Sequence, residues 1–372
     1  MQEQDEVVQA DRESVSKIEL FFDLVFVFTI TQLTHLVEHA HGVGEILRCA
    51  LVLALIWWMF AAFTWLTNDT GTRAYMKLVM IAGMGGFLVM AIALPKVFER
   101  DTLAFGLAYL FVTLLHLGTV AVLGGEGARR SIWHIGPYNL SAAALAVIAA
   151  FVPSQWKWLC FLAAVLTFVI ATFLRRERGF SINARHMAER HGLVILIVLG
   201  ESIISIGTGA SEQGLDVRTL ASSLLALALI ATLWWSYFSG DSERAEEALD
   251  ATPVEDRPRL ALGFWYTHLA MLVGIVALAA GIKEAVGKGG APVEMGGWLL
   301  AGGLALYLLG DLAFRVLLCI KSVAVRLVGA VLALSTGFLG PWLGSIIQLE
   351  CLVVLTIVLL ILETRVSPPD SC

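Results

Sequence analysis

The sequence predicts an all-α fold: a polytopic membrane protein of about twelve transmembrane helices. Three observations predict it. The 372 residues are 58% hydrophobic and only 15% charged, against about 45–50% apolar and about 25% charged in a soluble domain. A soluble protein must still cover its surface with polar groups, and this chain has too few. The apolar stretches are long, continuous and rich in Leu, Ala, Val and Ile, and a helix needs about 20 such residues to span the hydrocarbon core. Helices or closed barrels alone satisfy the backbone in lipid, and the alternation of a barrel is missing. Finally, the basic residues alternate from loop to loop.

Spans are expected at 18–39, 43–66, 75–94, 102–124, 133–152, 156–174, 190–209, 217–239, 260–281, 295–317, 323–342 and 345–362. Pro95, Gly124, Gly125, Pro153, Gly289, Gly290 and Pro341 punctuate their ends. The eleventh and twelfth are separated only by the residues from Gly340 to Gly344. The longest loop, 240–259, carries an acidic helical piece over 242–250, then Pro253 and Pro258. Assigning each Lys and Arg to its nearest loop puts 18 on the N-terminal side and 7 on the other. The positive-inside rule then puts the N-terminus in the cytoplasm, twelve spans would put the C-terminus there too, and the plasma membrane is the expected location. Segment 1–17, a basic loop 175–189 and a tail 363–372 would lie on the inner face. The first seventeen residues are acidic and polar, so no cleavable signal peptide is expected.

Two parallel six-helix repeats, 18–174 and 190–362, are expected. The first span carries Asp23 and the seventh Glu201. Trp57 and Trp58 of the second span recur as Trp234 and Trp235 of the eighth at nearly the same offset. The formal charge of -6 is small for this length and says little about partners, and no basic block with interleaved aromatics points to nucleic acid. Five scattered cysteines form no CxxC. Expected partners are the lipid bilayer and a small ion or solute, with self-association left open. No cofactor and no metal are expected, and no catalytic residues are assigned.

The intramembrane acids are the main functional signal. At about 100° per residue, Ser16, Glu19, Asp23, Ile30 and Thr34 share a face of the first span. Asp23 lies about 9 Å of helix rise past Lys17, too deep for a short carboxylate to snorkel. On the seventh span Arg190, Glu201, Ser205 and Thr208 share a face, with Glu201 about 16 Å past Arg190. Gly200 leaves room beside Glu201 for a close helix. A carboxylate at a helix centre costs at least about 2.5–3.5 kcal/mol. Such a residue serves as a proton or cation site, or as a hydrogen-bonded carboxyl joining helices.

Other polar groups carry weaker signals. Asp311 and Arg315 stand four apart on the tenth span, the spacing of a structural ion pair. Glu350 and Gln348 fall in the twelfth span. His116, Asn139 and His268 read as interhelical hydrogen-bonding residues. His35, Glu38, His39 and His41 end the first span, and His186, Glu189 and His191 open the seventh. Both His groups read as solvated helix ends rather than metal ligands.

The run from Ile18 to Leu33, IELFFDLVFVFTITQL, and the run from His186 to Ile203, HMAERHGLVILIVLGESI, resemble the opening and central blocks of the bacterial low temperature requirement A family. Lys17, Phe21, Phe22, Phe26, His186, Glu189 and Gly200 belong to or flank these blocks. The resemblance implies a polytopic membrane protein over nearly the whole chain and an association with growth in the cold. More distantly, Lys17, Phe21, Asp23, Val25 and Phe26 are similar to the first-helix signature of the lysosomal potassium channel family. Lys17 stands where that signature has Arg and Phe22 where it has Ser, and the seventh helix keeps only an acid. That likeness implies six-helix repeats whose opening helices line a path.

The functional expectation is therefore ion- or proton-coupled transport, or cation conduction, along a path flanked by the first and seventh helices. Glu19, Asp23, Arg190, His191, Glu201, Ser202 and Ser205 would form its site, with Glu19 and Arg190 tuning the acids by nearby charge. The alternatives are a non-catalytic membrane component acting in stress response, or a membrane-embedded enzyme on a hydrophobic substrate.

Overall fold

The computed structural model describes residues 16–70, 74–174, 183–239, 241–253, 257–289, 291, 295–318 and 323–366. The N-terminal segment to residue 15, most of the basic loop (175–182) and the tail from 367 lie outside the described residues. So do Cys319, Cys372 and Gly290.

The described chain is helical, with α1 Lys17–Glu38, α2 Val43–Thr70, α3 Ala74–Ala93, α4 Thr102–Leu123, α5 Glu126–Ile148, α6 Lys157–Leu174 and α7 Ala184–Gln213. There follow α8 Val217–Phe238, α9 Asp241–Ala251, α10 Arg257–Gly287, α11 Met295–Leu317, α12 Val323–Ser335, α13 Leu339–Leu343 and α14 Ser345–Val366. Among the described residues, 12 helical stretches are long and apolar enough to cross a membrane. They follow the expected spans closely. The fifth starts earlier, at Glu126, and the seventh runs Arg185–Gln213. Helices are free to continue past the hydrocarbon, because their backbone is satisfied internally on either side of the boundary. The acidic piece after the eighth span is α9, as its composition suggested.

The break between the last two spans rests on one glycine. After α12 the chain passes through a 3-10 turn, Thr336–Phe338, and the short α13. Gly344 then takes φ 91°, ψ 160°, and α14 begins at Ser345. A side chain at that positive φ would be strained, so Gly permits the reversal in a single residue.

The chain divides into two compact units. The first comprises Met1–Leu33, Leu47–Arg190 and Leu249–Leu262; the second comprises Thr34–Ile46, His191–Ala248 and Gly263–Cys372. In the first unit α3, α4, α5 and α6 pack in chain order, each on the next. Its core is aromatic: Phe22 stacks on Phe63 with ring centroids 5.5 Å apart, and Phe26 lies 4.3 Å from Phe60. Phe87 closes the cluster edge-on to Phe22, Phe60 and Phe63. Trp58 donates its indole N–H to Asn139 Oδ1 at 2.9 Å, the kind of interhelical bond expected for that Asn.

In the second unit, α11 packs on α12 and α8 on α14. Glycines let α10 and α11 approach to backbone contact. A Cβ on Gly303 would stand 2.6 Å from the Leu278 nitrogen, and one on Gly281 would stand 2.7 Å from the Leu300 nitrogen. Lipid supplies no hydrophobic drive between helices, so close packing of this kind takes over. Asp311 and Arg315 form the expected pair at 3.1 Å. It is part of a larger cluster, in which Arg326 bonds Asp311 at 3.0 Å and Glu363 at 2.6 Å. The cluster ties α11, α12 and α14 with two positive and two negative side chains, all buried. Gln348 is also buried and donates to the Gly297 carbonyl at 2.7 Å, whereas Glu350 is exposed.

Many large apolar side chains face outward, among them Leu78, Ile92, Val122 and Val331. In water such a surface would aggregate; in a bilayer it is the solvated one. Trp57 is buried in the aromatic core, while Trp234 and Trp235 are exposed.

Candidate functional site

The site in the first unit starts with two helix caps. Glu19 reaches back to cap Ser16, which is the carboxylate half of a capping box. The Ser16 backbone N–H and hydroxyl donate to Glu19 Oε2 at 2.8 and 2.7 Å. At the start of α7, the Asn183 side-chain oxygen accepts from the His186 backbone N–H at 3.0 Å. Each cap fixes the first turn of its helix and holds one side chain toward the other helix.

Across that gap, His186 Nε2 donates to Glu19 Oε1 at 3.0 Å. One turn on, both guanidinium nitrogens of Arg190 donate to Asp23, Nη1 to Oδ2 and Nη2 to Oδ1, each at 2.7 Å. Partners in both rungs are 167 positions apart. The positions rise together on both helices, so the facing turns of α1 and α7 run in the same direction. Arg190 and Asp23 are 2% exposed, Glu19 is 2% and His186 is 6%. The Arg190 guanidinium also lies 5.8 Å from the Phe60 ring centroid. Its Nε has no hydrogen-bond partner among the described residues.

This pairing is chemically specific. A bidentate Arg–carboxylate contact is the strongest ion-pair geometry available to side chains. Buried as it is, it holds only while both partners keep their charge. Adding a proton to Asp23 would leave a desolvated guanidinium uncompensated, at a cost of about 3–5 kcal/mol.

The other expected residues fall into place around these rungs. Phe22 and Phe26 line the aromatic core below Asp23, while Phe21 and Lys17 face outward. His186 and His191 are buried, where the sequence suggested solvated helix ends. The reason is that α7 begins at Ala184, six residues ahead of the expected start. Glu189 lies at the margin, bonded to Arg185 at 3.1 Å.

The second unit holds the remaining candidates. His191 stacks edge-on to His268, with ring centroids 4.7 Å apart. His268 Nδ1 meets the Phe264 carbonyl at 2.8 Å, so that nitrogen carries the hydrogen. Its Nε2 therefore accepts from the Tyr237 hydroxyl at 2.9 Å. This buried Tyr–His–His row was not legible in the sequence, because its members lie on three separate helices. Glu201, Ser202 and Ser205 are all buried on α7. The Ser202 and Thr34 hydroxyls have no hydrogen-bond partner among the described residues. Gly200 is half-buried, and a Cβ there would meet nothing within 4 Å.

Comparison with known proteins gives a family and little chemistry. The model for "Bacterial low temperature requirement A protein (LtrA)" matches residues 14–362. An uncharacterized protein of Rhizobium meliloti (strain 1021) is 26% identical over 323 residues, covering 81% of this chain and 77% of its own. No solved structure matches.

Proposed function

We propose that this chain, which belongs to the bacterial low temperature requirement A family, is a proton-coupled transport protein whose path is flanked by α1 and α7. One observation carries the reading. Two acids, Glu19 and Asp23, are buried between those helices, and each is held by a cationic or protonatable partner at 2.7–3.0 Å. A lipid-embedded protein that needed only a fastener between two helices could use apolar packing at lower cost, since a buried ion pair is often no more stabilising than a hydrophobic substitute.

The pairs make protonation and helix contact interdependent. Losing the Asp23 charge strands Arg190 at about 3–5 kcal/mol. That approaches the about 5.5 kcal/mol needed to take a two-state equilibrium from 1:99 to 99:1. Glu19 and His186 add a second titratable contact one turn away. A proton arriving at either acid therefore favours a state in which α1 and α7 separate, and its departure favours the paired state. The register extends the idea along the same two helices. The offset of 167 that relates the rungs also relates Thr34 to Glu201. In this reading the buried Glu201, Ser202 and Ser205 of α7 form a further polar station.

In the same proposal the chain sits in the plasma membrane as two parallel six-helix repeats opened by α1 and α7, with both termini in the cytoplasm. The excess of basic residues on the N-terminal side supports that orientation.

Liposomes containing the purified full-length chain and an internal pH-sensitive dye test the function. A potassium gradient with valinomycin supplies the driving voltage. The parent should acidify the vesicles faster than protein-free controls do. Asp23→Asn and Glu201→Gln should each slow this by roughly tenfold or more, the scale of a lost proton-transfer group. A parent no faster than empty vesicles, or neutral variants as fast as the parent, overturns the proposal.

A further inference from the structure

The end of α1 away from Lys17 carries a second cluster, independent of the transport reading. His35, Glu38 and His39 occupy one face at i, i+3 and i+4. Their ligand atoms all lie within 4.8 Å of one another. His35 Nδ1 and His39 Nδ1 are 2.9 Å apart, and Glu38 Oε2 lies 3.9 Å from the first and 4.0 Å from the second. A point about 2.1 Å from both nitrogens, the zinc–imidazole distance, then falls about 2.2 Å from that oxygen, close to a zinc–carboxylate distance. Three donors converge on one position without any backbone movement.

From this geometry we infer that His35, Glu38 and His39 bind a divalent transition-metal ion of the zinc type. Two imidazoles and one carboxylate suit such an ion better than magnesium or calcium, which take oxygen ligands. Both imidazoles are 64% exposed, so the fourth position opens to water. His39 Nδ1 also contacts the His35 carbonyl at 2.8 Å, which makes it the protonated nitrogen of the pair. On binding, His39 takes its Nε2–H tautomer. Both Nδ1 atoms then present lone pairs, and neither imidazole changes its net protonation.

The site has a built-in competitor. Lys283 on α10 donates to Glu38 Oε2 at 2.8 Å and stands 3.8 Å from Glu212 at the end of α7. A metal on Glu38 displaces the ammonium, and Glu212 is there to receive it. Metal binding thus moves one salt bridge from the α1 end to the α7 end.

The test uses the full-length chain, purified without a polyhistidine tag, and zinc ion titrated in competition with a chromogenic chelator. One zinc per chain should bind. His35→Ala and His39→Ala should each weaken it by roughly tenfold or more, as expected when one of three ligands is lost. His41→Ala should leave it unchanged. Lys283→Met should tighten it several-fold by removing the competing cation. Absence of saturable binding, or full affinity in either His35→Ala or His39→Ala, overturns the site. Weaker binding in Lys283→Met overturns the competition.

Discussion

Asp23 and Arg190 meet from 167 positions apart in the chain, and neither tolerates losing the other. The same physics governs Asp311, Arg315, Arg326 and Glu363, where charges balance two against two. Replacing Arg326 by Met leaves Asp311 and Glu363 sharing only Arg315. Its thermal unfolding in detergent should show a loss of about 3–5 kcal/mol, whereas an exposed change such as Arg100→Met should show almost none. The value of Asp23 was legible in the sequence, because a carboxylate that far into an apolar span carries an obvious cost. Its partner was not. Helical periodicity placed Arg190 on the face of Glu201, but periodicity within one helix says nothing of a neighbour 167 residues away. The Ser16–Glu19 cap was a readable local pattern that would have anchored the start of α1. His186 looked solvated only because α7 was expected to start at residue 190.

At the scale of elements, two neighbouring glycines make a matched pair. Gly303→Ala puts a Cβ 2.6 Å from the Leu278 nitrogen and 2.7 Å from the Gly274 carbonyl oxygen, so α10 and α11 must separate. Gly302→Ala meets nothing within 4 Å. The first should lower thermal stability by about 1–3 kcal/mol, as overpacking does, and the second should not lower it. At the start of α8, Asp216 accepts the Thr219 backbone N–H at 2.7 Å, and that bond holds its carboxyl below the ordinary value. A carboxyl depressed in the folded state stabilises above its unfolded pKa and loses that contribution as pH falls through the folded one. Amides in the first turn of α8 should therefore exchange faster with solvent as pH drops below about 4, after correction for intrinsic exchange rates. In Asp216→Asn, whose side-chain oxygen still caps, that pH dependence should vanish. Span positions were legible because lipid enforces length and polarity together. The Gly-mediated closeness of α10 and α11 was not, since spacing alone does not say which helix a glycine faces.

At the scale of the molecule, the proposed orientation has two parts: twelve crossings would put both termini on one side, and the excess of basic residues on the N-terminal side would make that side cytoplasmic. In a chain freed of its five native cysteines, Leu215→Cys between α7 and α8 should react with a membrane-impermeant maleimide on intact cells. Arg244→Cys on α9 should react only after lysis. The reverse pattern would invert the orientation and with it the direction of any proton movement. The most direct measurement for the coupling claim is the apolar double replacement, Asp23→Leu with Arg190→Met, followed for thermal stability and vesicle proton flux in one preparation. Proton coupling through the pair predicts stability close to the parent's and flux lost, because an apolar pair still packs α1 against α7 but leaves no titratable group at that rung. If flux persists with stability, the pair is a fastener and proton coupling through it is wrong.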